Sequence, residues 1–414
     1  FAVPGGQGTQ DGYSWGNAKD LAGALTSAQA NDEIWAAAGT YLPNNGSGRS
    51  ATFSLKNQVA LYGGFAGTEI SRDQRDVSVH PTILSGDLAG DDAGTSAHLS
   101  DNVYHVVTAS GVDASAILDG FTITAGAANG ASPDNNGGGL IAVSGAPTLN
   151  QATFQHNYAG QDGGGAFFSG DQTFRISNTS FEQNTALRNG GGMAVSGNNS
   201  GQLSEVTFES NSGDAAGGGL WTDDSTLTLD QVAFTGNITQ GNGGGWAETG
   251  GGSSLINGRF TGNSAQGIGG GLYGDVSATT MLQSLFTGNS AANGGAVGSS
   301  TSGAMTLTQD VFYNNQAATA SVLYCGGGTP SALGNSILWG NTGSPIAADP
   351  ACEPSASYNI IQGGAAGAGN QNVDPLFVDP ATGDFHLQVG SPAIDAGSNL
   401  APGLENLTTD TDGY

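Results

Sequence analysis

The stretch GGGLWTDDSTLTLDQVAFTGN, Gly217–Asn237, contains every signal that decides the fold. Apolar and polar residues alternate through its second half, the period-2 mark of a strand with one buried face. A glycine cluster opens it and a Phe-x-x-Asn motif closes it. The same pair recurs at Phe154/Asn157, Phe181/Asn184, Phe208/Asn211, Phe234/Asn237, Phe260/Asn263, Phe286/Asn289 and Phe312/Asn315, and Leu338/Asn341 continues it. Successive steps are 27, 27, 26, 26, 26, 26 and 26 residues. Glycine clusters beginning at Gly137, Gly163, Gly190, Gly217, Gly243, Gly269 and Gly294 interleave with the pairs. Self-similarity at a fixed period of this length means a solenoid.

Two more columns define the coil. Five residues before each phenylalanine stand Leu149, Ile176, Leu203, Leu229, Leu255, Met281, Leu307 and Leu333. After each glycine cluster come Leu140, Ala166, Met193, Leu220, Trp246, Leu272 and Ala296. Each coil therefore has two strands, and a third short one is expected because about 26 residues at about 3.3 Å each must travel round a closed loop. The expected architecture is an all-β parallel solenoid, each coil bonded to those above and below. The asparagines Asn157, Asn184, Asn211, Asn237, Asn263, Asn289, Asn315 and Asn341 read as a structural ladder at a bend, where an amide caps backbone groups and tolerates left-handed angles. The glycines permit positive φ and close approach of coils.

Composition supports an ordered rod. Glycine accounts for 72 of 414 residues, but at fixed places in a repeat rather than at every third position, which excludes collagen. Acidic residues number 35 against 8 lysines plus arginines, a formal net charge of −27. Nucleic acid is therefore excluded as a partner, since phosphate binding needs clustered cations, and the charge serves solubility. No run of about 20 apolar residues occurs, so no transmembrane segment is expected. The opening residues do not resemble a signal peptide, and Phe1 reads as the beginning of a mature chain. Cys325 and Cys352 are 27 residues apart, one repeat. Equivalent positions on neighbouring coils are about 4.8 Å apart, within the reach of a disulfide. A bridge is expected there, and with it an oxidising compartment.

The ends depart from the repeat. Asn17 to Asp32 reads as an amphipathic helix, with Leu21, Ala24, Leu25 and Ala28 on one face, capping the first coil. The strand EIWAAAGTYLP follows it. The division is a cap and first strand over 1–50, irregular early coils over 51–136, regular repeats over 137–341, and last coils with a C-terminal module over 342–414. GDLAGDDAGTSAHLSD, Gly86 to Asp101, reads as a loop inserted in an early coil. About twelve coils fit the length, and at about 4.8 Å per rung they make a rod on the order of 60 Å.

The GGGL…FTGN repeat resembles those of polymorphic outer membrane proteins. DGYSWGNAKDLAGAL…NDEIWAAAGTYLP, Asp11 to Pro43, is similar to the N-terminal cap of secreted bacterial right-handed β-helix proteins. DPLFVDPATGDFHLQVGSPAIDAGSN, Asp374 to Asn399, and NSILWGN, Asn335 to Asn341, resemble the choice-of-anchor type of that family. The resemblance implies a right-handed parallel β-helix, exported and held at the cell surface or released, with no defined activity. In that family further residues and often an anchor follow the final DxDG, whereas this sequence stops at TDTDGY.

The same fold houses polysaccharide lyases and hydrolases. A lyase of that kind uses Arg or Lys beside acidic calcium ligands, but Arg175, Arg188 and Arg259 have no dense acidic neighbours in sequence. Asp223 and Asp224 after Trp221 are the best hydrolase pair, yet adjacent strand residues point to opposite faces. The five histidines show no metal spacing among themselves. No catalytic residues are assigned. Binding is better motivated: one residue beyond the core column stand Ile141, Phe167, Ala194, Trp221, Ala247, Tyr273 and Val297. If that column faces outward, Phe167, Trp221 and Tyr273 form a stripe for stacking on sugar rings. The acidic turns DLAGDD and the terminal TDTDG are candidates for weak calcium sites, although neither has EF-hand spacing. The expected function is an exported, non-enzymatic surface or adhesive rod that binds extracellular glycan or assembles with itself. The alternative is a carbohydrate-active enzyme.

Overall fold

In the computed structural model, which describes residues 1–43, 48–92, 98–402 and 404, the columns read from the sequence become registers of parallel strand pairing. The chain divides into two compact units, Phe1–Leu227 and Thr228–Tyr414, with about twelve coils in all. In the first, Leu149 pairs with Ile176 and Ile176 with Leu203, while Phe154 pairs with Phe181 and Phe181 with Phe208. In the second, Leu229, Leu255, Met281, Leu307 and Leu333 follow one another in the same way. A third strand does occur in each regular coil, at Tyr158–Ala159, Thr185–Ala186 and Ser212–Gly213 in the first unit. Its inner residues are small: Ala128, Ala159 and Ala186 form a buried alanine row.

Stacking of like on like fills the core. The rings of Phe154 and Phe181 are 5.0 Å apart and nearly parallel, as are those of Phe181 and Phe208. Phe234, Phe260, Phe286 and Phe312 continue at 4.4–5.0 Å in the second unit. Beside them runs the asparagine ladder. Asn289 donates from its backbone N–H and from Nδ2 to Asn315 Oδ1, at 3.0 and 2.9 Å, and from Nδ2 to the Phe260 carbonyl at 2.8 Å. The left-handed residue at this bend is the one before the asparagine: His156, Gln183 and Ser210 have φ of 53–54°, and Gly236, Gly262 and Gly288 of 62–64°. Reversing the chain one position early is what aims the amide inward.

A second left-handed column separates the aliphatic strand from the phenylalanine strand. It comprises Gln151, Asn178 and Glu205 in the first unit and Gln231, Asn257, Gln283, Gln309 and Asn335 in the second, with φ from 46° to 59°. Between coils the glycines are forced by contact: a Cβ on Gly164 would lie 2.5 Å from the carbonyl oxygens of both Thr185 and Gly191.

The first unit begins irregularly. Phe53 pairs with Val107, far more than 26 residues on, and the intervening chain carries the short helical turn Arg72–Gln74. The helix is shorter than its apolar pattern suggests, Leu21–Ser27. Asp20 accepts from the Gly23 N–H at 2.6 Å and so fixes its start, while Ala28 is already extended at ψ 138°. Leu21, Ala24 and Leu25 are its buried residues.

In the second unit the register slips once against the sequence reading. Leu272 pairs with Val297, not Ala296, because the cluster at Gly294 has two glycines and Ala296 occupies the third glycine's place. Tyr273 accordingly faces Gly298. The disulfide Cys325–Cys352 is present, with Cα atoms 5.8 Å apart. The coils it joins are offset by 23 residues, not 27: Cys325 pairs with Ala348, and Cys352 lies in the turn beyond. The C-terminal module is an antiparallel hairpin, Phe377–Asp379 with Asp384–Leu387. Phe377 and Phe385 pack edge-on with Tyr313, at centroid distances of 5.2–6.4 Å.

Candidate functional site

The aromatic stripe is not an open surface. Phe167 is 9% exposed and Tyr273 is 8% exposed, while Trp221 is half-buried against the cluster of Ile141, Phe167 and Ala194. The glycine turn leading into each strand covers this column from outside. At Gly217, with φ of 63°, an added Cβ would lie 2.9 Å from the Cβ of Trp221. The Tyr273 hydroxyl is also occupied, 2.6 Å from Ser300 Oγ. The glycines that signal the fold thus bury the column expected to bind.

A different surface offers a site. In the second unit a cleft of about 420 Å³ runs along the outside of the bend between the aliphatic and phenylalanine strands. Gln231, Asn257, Gln283, Gln309 and Asn335 line it, one carboxamide per coil. Their left-handed backbone places them, since the bend recurs at the same point of every coil. Asn257 Oδ1, Gln283 Oε1 and Gln309 Oε1 are buried without a hydrogen-bond partner. Leu285, Val311 and Ile337 add apolar surface, and Arg259 adds an exposed cation. Phe385 and His386 of the hairpin also line it. The end of the module is fixed there by Asn335, whose Oδ1 accepts from the Ser398 N–H at 2.7 Å and whose Nδ2 donates to its carbonyl at 2.9 Å.

The charges of the cleft are few. Asp310, its one carboxyl, is 1% exposed, and its Oδ1 accepts from the Ser284 N–H at 2.7 Å. Its Oδ2 has no partner. Burial pushes this carboxyl well above the usual range, against the pull of the Ser284 and Thr308 backbone amides. His386 Nδ1 lies 2.6 Å from Asp384 Oδ1, and that contact holds Asp384 below the usual carboxylate range.

The charged residues weighed for catalysis fall elsewhere. In the first unit Arg188 Nε donates to Asp162 Oδ1 at 2.8 Å, so a neighbouring coil does supply an acidic partner absent from the local sequence. Burial, with the charges of Asp224 and Asp162, raises the half-buried Asp223, and Arg188 opposes the shift. Of the two acidic turns, the terminal TDTDG lies outside the described residues, and the other gathers Asp87, Asp91 and Asp101 with ligand atoms within 4.8 Å of one another.

The column that supplies the carboxamides is visible in the sequence three residues before each phenylalanine, but glutamine, asparagine and Glu205 mix in it, so no single residue type marks it. The hairpin beside it was not legible, since its docking depends on tertiary packing.

Parallel coils with three strands each make this an all-β parallel β-solenoid. Among solved structures, that of pectate lyase Pel9A is similar to this chain, with a TM-score of 0.53 and 14% identity over 99% of this chain and 93% of the other. At that identity the likeness shows the fold. No family profile matches the sequence, and no curated protein does. No helix among the described residues is long and apolar enough to cross a membrane.

Proposed function

We propose that the protein is an exported, non-enzymatic β-helix of the choice-of-anchor type, right-handed and capped by its N-terminal helix, that binds a neutral glycan in the carboxamide cleft. The observation that carries this reading is the row Gln231, Asn257, Gln283 and Gln309, which repeats one amide per coil along a single cleft. Equivalent amides at a constant spacing of about 4.8 Å offer the same hydrogen bond to successive units of a repeating polymer. Amides suit hydroxyl groups, which both donate and accept. Phe385 supplies an apolar ring beside them, in the mixture of apolar surface and few polar groups common to ligand clefts. Export is supported by the disulfide. The handedness is supported by the strong preference of parallel crossovers for the right hand, and the cap by the buried side of Leu21–Ser27.

The alternative, a polysaccharide-cleaving enzyme, has the fold shared with a pectate lyase in its favour. The cleft argues against it, for the carboxyl that lines it is buried, and among the described residues Arg259 forms no ion pair. A glycan array probed with the purified chain, with sugar release assayed alongside, separates the two. Binding without release supports the proposal; released oligosaccharide would replace it with the enzyme.

A further inference from the structure

We propose that the two ends of the acidic loop, Asp87–Asp92 and His98–Asn102 in the first unit, hold a calcium ion between the carboxylates of Asp87, Asp91 and Asp101, with the Asn102 amide oxygen beside them. Ligand oxygens of the three carboxylates all lie within 4.8 Å of one another. Among the described residues none of the three pairs with a lysine or arginine, and the one cationic partner is the exposed His98, whose Nδ1 lies 3.5 Å from Asp91 Oδ2. Like charges held that close need a counter-ion.

The independent observation is Asn102. Its side chain is 0% exposed, and Oδ1 has no hydrogen-bond partner. Its Nδ2 donates to Asp92 Oδ2 at 2.6 Å, so the amide is tied to the residue that follows Asp91. Asp101 Oδ2 is a second buried oxygen without a partner. Buried acceptors left unmade are costly, and a cation satisfies several at once. The site is also held in shape: Asp87 accepts from the N–H groups of Gly90, Asp91 and Asp92 at 2.6, 3.3 and 3.1 Å.

Oxygen ligands in an irregular loop select calcium, which takes six to eight of them in flexible geometry. Asp91, Asp92 and His98 form an overlapping group of the kind zinc prefers. The orphaned oxygens, however, belong to Asp101 and Asn102, and His98 Nδ1 already contacts the Asp91 carbonyl at 3.2 Å.

The test is calorimetric titration of the chelator-stripped full chain with calcium chloride, paired with thermal melts. One saturable event that raises the melting temperature is expected, and Asp91→Asn and Asp101→Asn should each weaken it by about tenfold or more. Asp91 is exposed, so its substitution leaves folding intact. Absence of heat and of any melting shift would overturn the proposal. So would calcium binding unchanged in both variants, or zinc binding tighter than calcium and lost in His98→Ala. None of these outcomes depends on the glycan reading.

Discussion

An inner asparagine such as Asn289 commits its whole amide to backbone and ladder partners: both Nδ2 hydrogens are used, toward Phe260 and Asn315, and Oδ1 accepts from Asn263. Replacing it by alanine strands the Phe260 carbonyl and the Asn263 amides in a dry core. Asn289→Ala should therefore cost about 3 kcal/mol, read from urea unfolding. Asp310 makes the opposite case. It stands in a column with Ser284, Ser336 and Asn359, each of which accepts a backbone N–H from the preceding coil. Unfolded, its carboxyl ionises in the ordinary range, near pH 4; folded, it keeps its proton to higher pH. Its favourable contribution is complete below that range and declines as the pH rises toward the folded value. Asp310→Asn keeps the acceptor for Ser284, as Asn359 does for Ser336, and removes the ionisation. The variant should be more stable at neutral pH by about 1–3 kcal/mol and should lose that part of the pH dependence in melts from pH 4 to 8.

At the scale of the element, the strand–bend–strand unit was readable because identical side chains stack on themselves. A phenylalanine or leucine repeated every 26 residues has one place to go, and its register follows. Bends are less legible. The left-handed residue before each asparagine is histidine, glutamine, serine, asparagine or glycine, types that share a backbone angle rather than a chemistry. The burial of Phe167 and Tyr273 was hidden for a related reason: alternation says which way a side chain points, not whether a glycine turn lies over it. The disulfide was anticipated from a spacing of one repeat, yet the coil it closes is four residues shorter and a turn makes up the difference. It ties the shortened coil where the regular columns end. Cys325→Ser/Cys352→Ser should lower stability by about 2–4 kcal/mol, and a reducing agent should do the same to the native chain but not to the variant.

At the scale of the whole molecule, composition limits partners more firmly than it names them. An excess of 27 negative charges leaves a cleft whose floor is neutral amide, a combination that disfavours polyanions and leaves uncharged polymers. The fold was legible nearly throughout, the cleft only by half, since its floor is a sequence column and its Phe385 wall arrives from a hairpin with no repeat to announce it. The direct test of the account is titration of the intact chain with the neutral oligosaccharide that an array selects, compared with Gln283→Ala and Phe385→Ala. The account predicts that each substitution weakens binding by about tenfold, the loss of one buried hydrogen bond or one ring contact, while Phe167→Leu leaves it unchanged. Binding that survives both cleft substitutions and fails with Phe167→Leu would contradict it.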